Sequence, residues 1–300
     1  MTAIVRRAGA YLKLGRVSNL PTVWTNAVGG VVLADRVPDA SVVLGTCTVF
    51  SLFYVGGMFL NDAMDRHVDA RERPDRPIPS GAVRVIEVFA VGWLLLALGV
   101  LGVWLFARTH TLQSPLAYVL SALLVAVIVT YDAWHKGNPI GPLLMAACRM
   151  LVYCTAAAMV TGRVSSDVLL GSLVLGSYLV GLTYVAKHEA RGGIHNYWPH
   201  LFLGAPFVAM LPKLFHGITP AILRVGVYAL ALGWVVWTLA IARRRVPGSI
   251  PRAIAQWIAG ISLLDALQIA TSTKGDVRLV AYALAAFVLT LVLQRFVRGT

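Results

Sequence analysis

Acidic and amide side chains at helical spacing begin where a long apolar run of the chain ends. Asn61, Asp65 and Asp69 are spaced i, i+4 and i+8, so a helix would place all three on one face. Asp62 lies three residues before Asp65 and joins that face. Carboxylates stacked on one face repel each other, and a hard cation with oxygen ligands relieves the repulsion. The pattern therefore predicts a site in which Mg²⁺ bridges to a phosphate group.

A proline-rich segment follows this acidic face and carries two arginines. Three prolines between residues 74 and 79, together with Gly81, predict a stiff, extended turn in place of a continued helix. Such a turn directs Arg73 and Arg76 towards one place. A metal–diphosphate complex needs both kinds of group, because carboxylates hold the cations and basic side chains bind the remaining phosphate charge.

Other polar residues fall at the same ends of the apolar segments as this acidic face. They are Arg16 and Asn19, then Tyr131, Asp132 and Lys136, and finally Lys187, His188 and Glu189. Because polar side chains are expensive to bury in a membrane, a set that gathers on one side indicates a site. The alternative is a solvated loop with incidental ion pairs, which accounts for a single residue better than for the whole set.

Two charged residues lie deep inside apolar segments rather than at their ends. Arg149 is flanked by A-A-C and M-L-V, and Asp265 by S-L-L and A-L. A charge at that depth must pair with another group or face a cavity. We interpret Arg149 as a residue that lines a cavity or binds substrate, with structural pairing as the alternative. Asp265 is its candidate partner.

The composition indicates which elements carry these residues. The chain has 300 residues, of which 58% are hydrophobic and only 13% are charged, whereas soluble proteins carry about 25% charged residues. Long apolar runs recur along it, so the sequence predicts an all-α, polytopic bundle of transmembrane helices and excludes an ordinary soluble domain.

Ten apolar segments are candidates for these helices. The first and the seventh are the weakest, being short or interrupted by Gly and Pro, so we expect nine to ten spans. No repeat or linker divides the chain, and residues 1–300 are predicted to form a single domain. The segments lie at residues 20–35, 40–61, 84–107, 114–131, 139–161, 166–186, 197–214, 220–242, 251–272 and 277–296.

The distribution of basic residues predicts the orientation of the bundle. With the N-terminus in the cytoplasm, most of the 26 Lys and Arg residues fall in cytoplasmic segments, as the positive-inside rule expects. Both termini and the polar ends of the segments are therefore predicted to face the cytoplasm, in a bacterial plasma membrane. The net charge of +13 is interpreted as contact with anionic membrane lipid, and not with nucleic acid.

The acidic stretch resembles the signature of a known family. The pattern N-D-x-x-D-x-x-x-D at 61–69, followed by R-P-x-R-P-I-P-S-G at 73–81, is similar to the first aspartate-rich motif of the UbiA superfamily of intramembrane prenyltransferases. The loop from Tyr131 to Lys136 and the polar loop after the sixth span fit the same layout. The resemblance implies a helical bundle around a central cavity. It also implies Mg²⁺-dependent transfer of a prenyl group from a polyprenyl diphosphate to a small-molecule acceptor.

The resemblance also assigns roles to individual residues. Asp65, Asp69 and Glu189 are expected to be catalytic. The implied metal ligands are Asn61, Asp62, Asp65, Asp69 and Glu189. The expected substrate-binding residues are Arg16, Asn19, Arg73, Arg76, Tyr131, Lys136, Arg149 and Lys187.

One segment departs from the family pattern. The place of the second acidic motif, after the sixth span, reads Y-V-A-K-H-E-A-R-G-G from Tyr184 to Gly193, with Glu189 as its only acid. Lys187 is expected to neutralise phosphate in place of a second cation, or the usual ionisation chemistry is lost, so one or two metals remain open. This segment makes the chain most similar to the divergent EboC branch, which implies a small, cyclitol-like acceptor. The alternative is a non-catalytic relative that binds or translocates an isoprenoid lipid.

Overall fold

The computed structural model of this chain describes the backbone of residues 3–110, 114–189, 198–244, 246 and 248–297, and the side chains of these residues except 3–6 and 186–189. Within that part the chain forms twelve α-helices, two short 3₁₀ helices at Val17–Asn19 and Pro212–Phe215, and no strand. The α-helices are α1 Ala3–Leu14, α2 Leu20–Leu33, α3 Ala40–Met64, α4 Arg66–Glu72, α5 Val85–His110, α6 Leu116–Trp134, α7 Gly141–Thr161, α8 Ser166–Glu189, α9 Trp198–Met210, α10 Ala221–Ala242, α11 Ser249–Ala270 and α12 Val277–Leu293.

Seven helices of the described part are long and apolar enough to cross a membrane, namely α3, α5, α6, α7, α8, α10 and α11. Three more coincide with predicted apolar segments but are shorter: α2 with 14 residues, α9 with 13 and α12 with 17. The predicted all-α transmembrane bundle is confirmed. The predicted number of membrane spans, nine to ten, is approximate. The three helices α2, α9 and α12 are shorter than the roughly 20 residues that a helix needs to cross the hydrocarbon.

The bundle has inner and outer helices. α2 packs against α3, α7, α11 and α12 and buries twelve of its 14 residues. The spanning part of α11 is 83% buried, whereas α5 and α6 are only 28% and 22% buried within theirs. The exposed faces of α5 and α6 are apolar and suited to lipid, while α2 and α11 form the centre of the bundle and carry buried polar residues such as Asn26 and Asp265.

A glycine lets the central helices α2 and α7 approach closely. A Cβ atom added at Gly30 would lie 2.5 Å from the backbone oxygen of Tyr153. Small residues at such contacts allow helix backbones to pack without an intervening side chain. This contact places α7 directly against α2, and the polar side chains of the two helices then meet.

The chain turns sharply just before α2. Arg16 adopts a left-handed conformation with φ 41° and ψ 45°, which is uncommon for a residue with a side chain. The turn ends α1 and leads through the short 3₁₀ helix into α2. It aims the Arg16 side chain at the end of α3, where the acidic motif lies.

The acidic motif itself spans two helices. α3 ends at Met64, and α4 continues from Arg66 to Glu72 after a break at Asp65. Arg73 follows the last residue of α4; it has φ −145° and ψ 63° and directly precedes a proline, a position where helical conformation is disfavoured. The predicted acidic helix and proline-rich turn are both present, with the added break at Asp65.

Candidate active site

The acidic residues of the motif are buried rather than solvated. Asn61, Asp62, Asp65 and Asp69 are 4%, 6%, 8% and 3% exposed. Charged side chains are rarely buried to this degree unless they are paired or bind a cation. This burial argues against a solvated loop with incidental ion pairs.

Two arginines reach the acidic motif from opposite directions along the chain. Arg76 places Nη1 2.6 Å from Asp69 Oδ2 and 3.3 Å from Asp62 Oδ1. Arg16 places Nη2 3.1 Å from Asp62 Oδ1 and 3.2 Å from Asn61 Oδ1. The pKa of Arg16 is raised: burial opposes its charge, but the surrounding groups, with the Asp62 carboxylate foremost, together outweigh that effect. Asp62 is therefore held between two permanent cations.

The loop after α6 supplies a third cation. Lys136 Nζ lies 3.2 Å from Asp65 Oδ2 and 3.9 Å from Asp69 Oδ1. His135 Nε2 lies 3.6 Å from the same Asp65 oxygen, while its ring stacks on Tyr131 with centroids 4.8 Å apart. We call the group formed by Asn61, Asp62, Asp65, Asp69, Arg16, Arg76, Asp132, His135 and Lys136 the mouth cluster. His135 belongs to no motif of the sequence, whereas its neighbour Lys136 does.

Asp132, at the end of α6, joins the mouth cluster through an amide. Asn61 Nδ2 donates to Asp132 Oδ1 at 3.1 Å. Asp132 is 3% exposed, and its second oxygen has no hydrogen-bond partner within the described residues. This oxygen is a free acceptor beside the acidic motif, where a cation or a proton donor would satisfy it.

One predicted basic residue, Arg73, lies outside this cluster. Arg73 is exposed and forms no ion pair within the described ranges. The side chains of Lys187, His188 and Glu189 are outside the described part of the structure. The predicted second half of the site therefore stays a prediction, and Arg76 is the arginine of the proline-rich turn that meets the acids.

A cavity of about 150 Å³ opens beneath the mouth cluster. Asn19, Tyr131 and Asp132 lie on its wall at the polar end, together with Arg16. Asn19 Oδ1 also accepts a hydrogen bond from Gln294 at 3.1 Å, a residue that no sequence motif indicated. The rest of the wall is mainly apolar and includes Val23, Phe50, Phe53, Leu124, Ile128, Val152, Leu179, Ile258 and Ile261.

Arg149 lies on the wall of this cavity, as the sequence predicted. It donates to Asn26 Oδ1 at 2.7 Å and to Thr22 Oγ1 at 3.1 Å, both on α2. Asp265 is not its direct partner: the carboxylate accepts from Asn26 Nδ2 at 2.7 Å instead. The charges of Arg149 and Asp265 are therefore linked through an amide, because Asn26 stands between them.

The oxygen atoms of the mouth cluster are suitable ligands for a hard cation. Carboxylate and amide oxygens are the ligands that Mg²⁺ prefers, and the free oxygen of Asp132 adds another acceptor beside them. No three His, Cys, Asp or Glu side chains among the described residues converge on a single metal position. In this conformation Arg16, Arg76 and Lys136 neutralise the acids, so binding a metal would require these side chains to move.

Comparison with known proteins adds an independent line of evidence. The model of the UbiA prenyltransferase family matches residues 22–257. The digeranylgeranylglyceryl phosphate synthase of Methanopyrus kandleri is 32% identical over 133 residues, 44% of this chain and 45% of the relative. The chain thus spans about half the length of the curated relatives that it matches.

Solved structures share the fold. An apo UbiA homolog from Aeropyrum pernix K1 superposes with a TM-score of 0.66 at 18% identity, covering 83% of this chain and 95% of that one. A UbiA homolog from Archaeoglobus fulgidus bound to GPP and Mg²⁺ has a TM-score of 0.57 at 14% identity, covering 93% and 99%. At 14–18% identity, these comparisons show that the arrangement of helices is shared.

Proposed function

Since the chain belongs to the UbiA prenyltransferase family, we propose that it transfers a prenyl group from a polyprenyl diphosphate to a small polar acceptor within the membrane, with Mg²⁺ as cofactor. The observation that carries this proposal is the buried mouth cluster, acidic and basic together, above an apolar cavity. The Archaeoglobus homolog with GPP and Mg²⁺ supports the choice of ligands.

Four residues of the acidic motif would hold the metal: Asn61, Asp62, Asp65 and Asp69. Bound there, Mg²⁺ would stabilise the negative charge of the departing diphosphate. The chain's own cations would share that task. Arg16, Arg76 and Lys136 already gather at the motif, and each could bind a phosphate oxygen once Mg²⁺ neutralises the acids in their place.

The apolar wall of the cavity suits the second part of the reaction. The allylic C–O bond of the donor breaks, the electron pair leaves with the diphosphate, and the prenyl carbon becomes electron-deficient. Walls such as Phe50, Phe53 and Leu124 exclude the water that would otherwise trap this carbon. A hydroxyl oxygen of the acceptor attacks it instead, and the hydroxyl proton passes to the departed diphosphate.

The acceptor is proposed to be small and polar, with a cyclitol-like polyol as the candidate that the sequence resemblance implies. The mouth cluster is proposed to face the cytoplasm, because the predicted orientation places most basic residues on that side. Donor and acceptor would then enter from the cytoplasm or laterally from the lipid.

The test is a transfer assay on the purified full chain with labelled geranyl diphosphate, Mg²⁺ and a panel of polar acceptors. Asp65→Ala is expected to lower diphosphate release at least about 100-fold, because the metal site loses a ligand. Asp167→Ala is the matched control, since Asp167 is half exposed and, among the described residues, pairs only with Lys213 at 3.4 Å. Tight donor binding without turnover across the panel would reject the enzyme in favour of a lipid-binding protein.

A further inference from the structure

The cavity beneath the mouth cluster is closed at its deep end by an aromatic side chain of α3. One face of this helix lines the cavity, and Phe50 is the wall residue on it that lies farthest from the acidic motif. Phe50 precedes Asn61 by eleven residues, which corresponds to about 16 Å along the axis of a helix. Its side chain is fully buried, and its ring centroid lies 6.0 Å from that of Phe53. We call Phe50 the floor of the cavity.

Two neighbouring helices stop lining the cavity at a similar depth. On α7 the last wall residue is Val152, eleven residues after Gly141, and on α6 it is Leu124, eight residues before Asp132. Both side chains are buried and belong with Phe50 to one apolar cluster. Phe50 has the largest side chain of the three, so the depth of the cavity depends mainly on its ring.

Small side chains lie about one helical turn beyond the floor on all three helices. They are fully buried and are not part of the cavity wall. The three residues are Thr46 on α3, Ser121 on α6 and Ala156 on α7. A shorter side chain at position 50 would therefore extend the cavity towards residues that leave space for a longer ligand.

The wall between the acidic motif and the floor suits a hydrocarbon chain. Phe53, Leu124 and Ile128 form an apolar surface on α3 and α6. An isoprene unit adds four carbons to an extended chain, or roughly 5 Å with bonds of about 1.5 Å joined at an angle. Two units therefore fit between the acids and the floor, a third reaches Phe50, and a fourth has no space in front of the ring.

We propose that Phe50 determines the length of the donor, limiting its prenyl chain to about three isoprene units. This inference rests on the proposed function and names the class of donor that the site accepts. Geranyl and farnesyl diphosphate would fit with the diphosphate at the mouth cluster, whereas geranylgeranyl diphosphate would collide with the floor. Extra methylene groups forced into a packed site are costly, so the exclusion is steric.

The experiment measures binding to the full chain in lipid nanodiscs with Mg²⁺, without turnover. The probes are the S-thiolodiphosphate analogues of the geranyl, farnesyl and geranylgeranyl donors, in which a sulfur atom replaces the bridging oxygen and slows transfer. Affinity is expressed per mole fraction of probe in the lipid, so partition of the longer chains into the bilayer cancels. Wild type should bind the two shorter probes at least about tenfold more tightly than the geranylgeranyl probe.

Two substitutions of Phe50 test the floor directly. Phe50→Ala should remove most of the preference for the shorter probes, because the cavity then extends by the space of the ring. Phe50→Leu should reduce the preference in part, since leucine keeps some of the volume. A wild-type preference in Phe50→Ala would overturn the proposal.

Phe59→Ala is the matched control. Phe59 is a buried phenylalanine of the same helix, 2% exposed, but its ring packs 5.7 Å from that of Tyr11 and does not line the cavity. The variant should keep the wild-type preference. Loss of the preference in Phe59→Ala as well would mean that any truncation of α3 loosens the cavity, and would overturn the floor. Equal affinity of wild type for all three probes would mean that long chains leave the cavity sideways into lipid, and would also overturn it.

Melting temperatures identify a Phe50→Ala chain that fails to fold, and Phe50→Leu then decides the outcome alone. A reduced preference supports the floor, and the wild-type preference overturns it. The two proposals fail separately. If wild type prefers the short probes but releases no diphosphate from geranyl diphosphate, the transfer reaction is rejected and the floor stands. If it transfers all three prenyl groups and binds the three probes equally, the floor is rejected and the reaction stands.

Discussion

The mouth cluster and the buried network around Asp265 use charge in opposite ways. In the mouth cluster, carboxylates touch cations directly, and Asp62 alone meets both Arg16 and Arg76. In the network, neutral side chains separate the charges, with Asn26 between Arg149 and Asp265. Direct pairs can exchange one cation for another, whereas a chain of matched donors and acceptors has a single arrangement.

The mouth cluster and the network also differ in the structural elements that supply their residues. The cations of the mouth cluster come from three loops, before α2, after α4 and after α6. The network is built on α2, α7 and α11, and its residues Thr25, Asn26, Tyr153 and Asp265 are fully buried. Loop residues can move when a ligand arrives, while residues on packed helices hold their positions. We therefore expect changes in the mouth cluster to affect activity first and changes in the network to affect stability first.

The largest effect should come from Asp69→Asn in the mouth cluster. The substitution keeps the size of the side chain but removes a charge from the proposed metal site, so prenyl transfer should fall by at least about 100-fold. The melting temperature should change little, because Arg76 retains Asp62 as a partner at 3.3 Å. Measuring diphosphate release and thermal unfolding on the same sample checks both. A variant that unfolds rather than losing activity would break the comparison.

Asp265→Ala should produce the next largest effect, on stability. The carboxylate accepts from Thr25, Asn26 and Tyr153, all fully buried, so its removal leaves several donors unsatisfied. The free energy of unfolding should fall by about 3 kcal/mol, as for a broken buried charge network. Unfolding of the detergent-solubilised chain by denaturant measures this. An unchanged unfolding midpoint would show that the network is not rigid.

The sequence predicted the mouth cluster better than the network for a geometric reason. Asn61, Asp65 and Asp69 lie on consecutive helical turns, so their spacing alone placed them together. Arg149 and Asn26 are 123 residues apart, and Asn26 and Asp265 are 239 apart. No periodicity connects such distant residues. Arg149 and Asp265 were recognisable only as costly charges within apolar segments, and the amide that links them was not.

Within the mouth cluster, the sequence also did not determine which basic residue reaches which acid. Arg73 and Arg76 flank Pro74, but of the two only Arg76 contacts Asp62 and Asp69. Arg73 directly follows α4, and its side chain is exposed. The geometry of the loop decides which arginine reaches the acids, and the residue types of the loop restrict that geometry without fixing it.

Gly30→Ala should have a moderate effect that tests how the network depends on helix packing. A Cβ at this position would lie 2.5 Å from the backbone oxygen of Tyr153, so α2 and α7 must separate. Overpacking of this kind costs about 1–3 kcal/mol. It should also weaken the contact of Tyr153 with Asp265, since the tyrosine belongs to the displaced helix. Gly226→Ala, where nothing lies within 4 Å of the added atom, is the control.

The smallest effect should come from Gln294→Ala, at the boundary between the two regions. Gln294 donates to Asn19 Oδ1 and to the backbone oxygen of Ala255, both at 3.1 Å, and so ties the end of α12 to the cavity wall and to α11. Loss of these bonds should lower the free energy of unfolding by about 1 kcal/mol. Because Asn19 lines the polar end of the cavity, the KM for the donor should rise a few-fold while kcat stays near its wild-type value. A large fall in kcat instead would place Asn19 among the groups that act on the reacting atoms. The boundary between the mouth cluster and the network around Asp265 would then lie deeper in the cavity.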